Sequence, residues 1–146
     1  MALSTVLPVD RIRAPLRATE RIAAIDELLT ELPLPPDLRE RVRTATLRRE
    51  DELTTGIGGG VAIPHARVEG VSEPLLALGI APEGIDFLAI DGEPVQIVFL
   101  MVSEDEQTEA HLALLGELCT FLNDTDRRAR LASAETADAA LAVIES

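Results

Sequence analysis

Two histidines, His65 and His111, are the only imidazoles in this chain, and His65 closes an unusual stretch, "TTGIGGGVAIPH", at 54–65. Four of the nine glycines fall within five positions there, ahead of a short apolar run and a proline. Glycine at that density weakens helix and strand alike, so the stretch is either a slack connection or a place where bare backbone approaches something closely. Pro64 restricts the backbone before His65, and the ring is expected to face solvent at the end of the loop. A neutral imidazole is a competent nucleophile at pH 7 without an activating base. Phosphoryl transfer asks mainly that the group be positioned and that charge on its oxygens be stabilised. The neighbouring residues suit that chemistry. Backbone N–H groups of Gly56, Gly58, Gly59 and Gly60 could form an anion nest, Thr54 and Thr55 offer hydroxyl donors, and Arg49 offers a fork-shaped cation.

Other chemistries fit poorly. The dinucleotide fingerprint needs a third glycine where Val61 or Ile63 stands. A P-loop needs lysine, and all 13 basic residues are arginine, which also removes Schiff-base catalysis. No serine lies in a G-x-S-x-G elbow. A zinc site would have to draw on His65, His111, Cys119 and carboxylates without any close ligand pair, so no metal is expected. Each residue also has a plainer reading. His65 could be incidental, His111 a core or capping residue, Arg49 a partner for the helix dipole or for Glu50 and Asp51, and the glycines merely a tight connection.

The elements that must position these residues follow from periodicity. "ATERIAAIDELLTEL" places Ile22, Ile25, Leu28, Leu29 and Leu32 at helical spacing with Thr19 as N-cap. "PLPP" stops that helix, and Asp37 caps a second running to about Arg49. "GVAI" forms a short strand ending at Pro64. "PLLALGIA" (74–81) and "PVQIVFLMV" (94–102) form buried strands, with turns at "PEG" and "IDGEP" between them. Helical spacing returns from about Glu106. His111 begins that long helix on or near its buried face, where its ring N–H and the helix N-terminus could support an anion on His65. "TDRRARLAS" and "ADAALAVIE" complete the chain as two short helices. Helices flanking strands in this order give one α/β domain, a sheet covered by helices, over 1–146.

Composition narrows the partners. Hydrophobic residues make up 47% of 146 residues, enough for a continuous core. The only aromatic residues are three Phe, and the formal net charge is −13, which opposes nucleic acid and anionic membrane as partners. A basic protein suits it better. No stretch approaches the ~20 apolar residues of a membrane span, and the opening residues hold no signal-peptide run, so a cytoplasmic location is expected. Cys119, the single cysteine, excludes an internal disulfide and reads as a small buried hydrophobe.

"RREDELTTGIGGGVAIPHAR" closely resembles the active-site signature of the type-2 enzyme IIA domains of the bacterial sugar phosphotransferase system, the fructose and mannitol class with their nitrogen-regulatory relatives. The likeness continues through "LPVDRIRAPLRATERIAAIDELL", "EGIDFLAIDGEPVQIVFLMV" and "HLALLGELCTFLND". The resemblance implies a three-layer α/β/α sandwich with a central mixed sheet. It also implies that His65 takes a phosphoryl group from phosphorylated HPr or a homologue and passes it to an enzyme IIB domain, with His111 and Arg49 holding the group and with neither metal nor nucleotide. A nitrogen-type module, whose phosphorylation on His65 controls a regulated protein without moving sugar, is the alternative. Glu20, where many members carry Lys, and "PLPP", in place of a glycine-containing turn, depart from the family pattern away from the signature.

Overall fold

The computed structural model describes residues 3–52, 56–105 and 108–146. In chain order it contains α1 (Leu3–Val6), a 3-10 turn (Val9–Arg11), β1 (Ile12–Arg13), α2 (Arg21–Leu29), α3 (Pro36–Glu52), β2 (Gly56–Gly58), β3 (Val61–Ala62), β4 (His65–Arg67), β5 (Leu75–Ile85), β6 (Val95–Ser103), α4 (Glu109–Asn123), α5 (Thr125–Ala132) and α6 (Ala137–Glu145). The strands form one mixed sheet in the order β1-β5-β6-β3-β2, with β4 pairing to β6 further along the edge that β3 occupies. β5 and β6 are antiparallel, whereas β1 runs parallel to β5, and β3 and β4 run parallel to β6.

The unbroken apolar character of β6 reflects its two covered faces. Val98, Leu100 and Val102 belong to a core shared with α2 and α3, and Ile97, Phe99 and Met101 to a second core under α1, α4, α5 and α6. Helices on both faces of a mixed sheet make the three-layer sandwich. Each such side chain contributes roughly 1.5–3 kcal/mol when fully buried, so β6 is the strand whose register is hardest to shift.

Three local expectations are corrected. Glu20, not Thr19, is the N-cap of α2: its backbone is extended and its carboxylate accepts from the N–H groups of Ile22 and Ala23 at 3.2 and 2.6 Å. A carboxylate gains from both the capping bonds and the positive helix end, which favours Glu20 over the neutral hydroxyl beside it. "PEG" is no turn but part of β5, where the pairing with β6 shifts register between Ile80 and Ile85. Gly84 allows this bulge with φ +82°, and the Pro82 carbonyl accepts from Gln96 Nε2 at 2.9 Å. The glycine stretch is likewise structured, β2 and β3 forming an antiparallel hairpin across it.

Candidate functional site

His65 stands on a strand rather than at a loop end. β4 pairs in parallel with the end of β6, placing His65 opposite Met101 and Arg67 opposite Ser103. Ala66 points into the α2–α3 core, so strand alternation sends His65 out on the other face, the one α4 covers. The ring is half-buried, and its Nδ1 lies 2.8 Å from the carbonyl oxygen of Ile63. A carbonyl can only accept, so Nδ1 carries the hydrogen and Nε2 keeps its lone pair. Nε2 makes no hydrogen bond among the described residues. The tautomer of His65 is therefore set by local backbone, with a lone pair on Nε2.

His111 reaches the same face from α4. Thr108 is the N-cap of that helix, its Oγ1 accepting from the His111 backbone N–H at 3.2 Å. The imidazole is buried, with 5% of its surface exposed, and its Nδ1 lies 2.8 Å from Ser103 Oγ. Ser103 follows Met101 by two residues on β6, so the strand positions serving the two histidines are separated by roughly 7 Å. The first turn of α4, the positive end of the helix dipole, holds His111 and so lies at the Ser103 end of β6.

Arg49 arrives by way of α3. Arg41 donates to the Glu69 carbonyl at 3.1 Å, and Gly70 packs beside Leu38 and Arg41. Further along, Thr44, Ala45 and Arg48 line a shallow cleft with Arg67 and Val68. The helix thus runs antiparallel to β4, and its last turn holds exposed Arg49 and buried Glu50. Val42, Thr46 and Glu50 follow one another at four-residue spacing on the inner face of α3.

The glycines do something different from what their density suggests. Gly58, Gly59 and Gly60 all have positive φ (93°, 65° and 78°), which only glycine adopts without strain, and together they form the hairpin tip. Gly59 donates its N–H to Asp91 Oδ2 at 3.0 Å, while the Gly60 carbonyl accepts from the N–H groups of Gln96 and Ile97. The partner of Val61 on β6 is Ile97 and that of His65 is Met101, four residues on, so the tip lies roughly 13 Å along the sheet from His65. A single anion nest spanning Gly56 to Gly60 beside the histidine is not what this backbone builds. Gly58, Gly59 and Gly60 shape the hairpin, and Gly56 permits close packing against Phe87 and Ala89. Thr54 and Thr55 lie outside the described residues.

The Asp91 carboxyl is held below its ordinary pKa, first by the Gly59 N–H and then by the Glu93 N–H that it also accepts. Cys119 is exposed, against expectation, since the core-facing stripe of α4 is taken by His111, Leu114, Leu118, Phe121 and Leu122. It lines a groove with Ile57, Ile63, Ile90, Asp91 and Arg128. Among the described residues no cluster of His, Cys, Asp and Glu could hold a metal ion, and no helix is long and apolar enough to cross a membrane. Two groups were missed in the sequence. The Ile63 carbonyl carries no side-chain signal, and Ser103 is marked only by being the first polar residue after the apolar run of β6.

The chain is similar to known proteins in sequence and fold. A fructose-specific EIIABC component from Bacillus subtilis is 34% identical over 99% of the chain, though the chain spans only 23% of its length. A fructose-specific EIIA component from Haloferax volcanii is 36% identical, covering 92% of this chain and 88% of that protein. The crystal structure of the nitrogen regulatory protein IIA-Ntr from Neisseria meningitidis superposes with a TM-score of 0.85 at 26% identity, covering 97% of this chain and 98% of that one. Residues 5–146 match the family described as phosphoenolpyruvate-dependent sugar phosphotransferase system, EIIA 2, and the chain belongs to that family.

Proposed function

We propose that this chain is a cytoplasmic phosphoryl carrier that takes the group from a phosphohistidine of HPr or a homologous carrier onto His65 Nε2 and hands it to an enzyme IIB domain. The observation that carries this reading is the bond from His65 Nδ1–H to the Ile63 carbonyl, which leaves a lone pair on a half-exposed ring. Attack by that lone pair forms the new N–P bond as the donor's N–P bond breaks and its electron pair returns to the donor ring. Because Nδ1 keeps its hydrogen, the phosphorylated ring is an imidazolium, from which Nε2 leaves as a neutral nitrogen when the next acceptor attacks. The Ile63 carbonyl steadies that positive ring. Arg49, the His111 ring and the first turn of α4 supply positive potential for the anion, which arrives as roughly a dianion. At physiological salt, charges beyond ~8 Å are largely screened, so this local cluster outweighs the acidic surface. The chemistry calls for neither metal nor nucleotide.

The likeness to IIA-Ntr favours a second reading with the same chemistry, in which phosphorylation of His65 controls a regulated protein and no sugar moves. Incubation with phosphorylated HPr, then with candidate enzyme IIB domains, tests both. Label on wild type but not on His65→Ala supports the carrier chemistry, and onward transfer to a IIB domain supports transport over regulation. Label retained by His65→Ala would overturn both readings.

A further inference from the structure

We infer that Ser103 is a positioning residue that holds His111 in the Nε2–H tautomer, so that the second histidine presents a hydrogen-bond donor to the anion carried by the first. What the donor is for rests on the phosphoryl-carrier reading; the tautomer does not. Ser103 is the last residue of β6, 2% exposed, and its Oγ has one hydrogen-bond partner among the described residues, His111 Nδ1 at 2.8 Å. A hydroxyl owns one proton and a neutral imidazole owns one N–H. If Nδ1 held the imidazole hydrogen, Ser103 Oγ would accept it and the hydroxyl proton would be buried with no acceptor. With the hydroxyl donating to Nδ1, the buried Ser103 proton has its acceptor, and the imidazole hydrogen must sit on Nε2. The avoided cost, a buried unsatisfied donor, decides between the two arrangements.

The backbone leaves Ser103 little freedom to do otherwise. Its carbonyl accepts from the Val68 N–H at 2.9 Å, and its register partner is Arg67, which ties the end of β6 to the strand that carries His65. Meanwhile the Thr108 cap fixes the backbone at His111. The site therefore holds two imidazoles in opposite tautomers. On His65 a carbonyl claims the Nδ1 hydrogen and Nε2 is the nucleophile; on His111 a hydroxyl fills the Nδ1 lone pair and Nε2 is the donor.

The test is long-range proton–nitrogen NMR of the unphosphorylated protein in mildly alkaline buffer, which suits a chain with only two histidines. His111 is expected to show an unprotonated Nδ1 and a protonated Nε2, with His65 showing the reverse. In Ser103→Ala, whose remaining spectrum reports the fold, the two His111 nitrogens should move toward each other as the tautomers mix. Phosphoryl uptake from phosphorylated HPr should slow by about tenfold in that variant, a loss smaller than removing a charge-stabilising donor outright. The same substitution made in His111→Ala should change uptake no further. A protonated Nδ1 on wild-type His111, an unchanged tautomer in Ser103→Ala, or an equal slowing in the His111→Ala background would each overturn the assignment. A wild type that accepts no phosphoryl group would instead defeat the carrier reading, while the NMR result still decides the tautomer.

Discussion

The Nδ1–H of His65 and the carbonyl of Ile63, two residues apart in the chain, form a 2.8 Å hydrogen bond. A carbonyl two residues back is a partner the chain carries with it, so the tautomer of His65 depends on local backbone and on no second side chain. The expected product of phosphorylation is therefore the Nε2 adduct alone. Phosphorus–proton correlation NMR of the phosphorylated protein checks this, and a group found on Nδ1 would contradict it.

Two glycines should respond oppositely to alanine. At Gly56 a Cβ would lie 2.9 Å from Ala89 Cβ, 3.0 Å from Ala89 Cα and 3.2 Å from Phe87 Cβ. Gly56→Ala should cost about 1–3 kcal/mol through overpacking, lowering Tm by roughly 2–4 °C for each kcal/mol in a chain of this size. Gly116 lies inside α4 with nothing within 4 Å of a Cβ. Gly116→Ala should stabilise by about 0.5–1 kcal/mol. Thermal melts of both variants give the comparison.

Loss of the α4 cap should cost stability and disturb the second histidine together. Thr108→Ala removes the acceptor of the His111 backbone N–H and should destabilise by about 1 kcal/mol. Denaturant unfolding measures the stability, and the His111 ring resonances should shift in the same variant. Normal stability with unmoved resonances would show that the cap contributes nothing.

The hairpin tip should be acid-sensitive. Asp91 accepts the N–H groups of Gly59 and Glu93, and its carboxyl is held below its ordinary value by those bonds. A lowered folded-state value means that the ionised form is the one the fold favours. The contribution is present above the unfolded aspartate value and is lost as pH falls through the lower, folded one. The amide protons of Gly59 and Glu93 should titrate together in that acidic window, and Asp91→Asn should abolish the step.

Cys119 should react with a thiol reagent in the native protein, at a rate unchanged by mild denaturant, since it is exposed on α4. A thiol that reacts only on unfolding would contradict that placement.

Long, strongly periodic elements were legible in the sequence: α3, β6 and α4 lie close to where apolar spacing put them, because each buries a full face or both faces. β1 and β4 were not, since two or three residues carry too little pattern to distinguish a strand from a loop, and their pairing is dictated by β5 and β6. The glycine stretch misled for a related reason. Its composition announces positive φ and close approach, both of which occur. It says nothing about which neighbour comes close, and at Gly59 the neighbour is the Asp91 carboxylate. His65 and His111 could be singled out by type, but their shared face depends on Met101 and Ser103 being two residues apart on one strand.

Because His65 is held by sheet register, opposite Met101, its ring leaves the sheet on one face only. A slip of one residue would turn the ring to the other side of the sheet altogether. On the proposed carrier reading, the partner that brings a group to Nε2 and the one that removes it must use one doorway by turns, so the two exclude each other and the first must depart before the second can unload the ring.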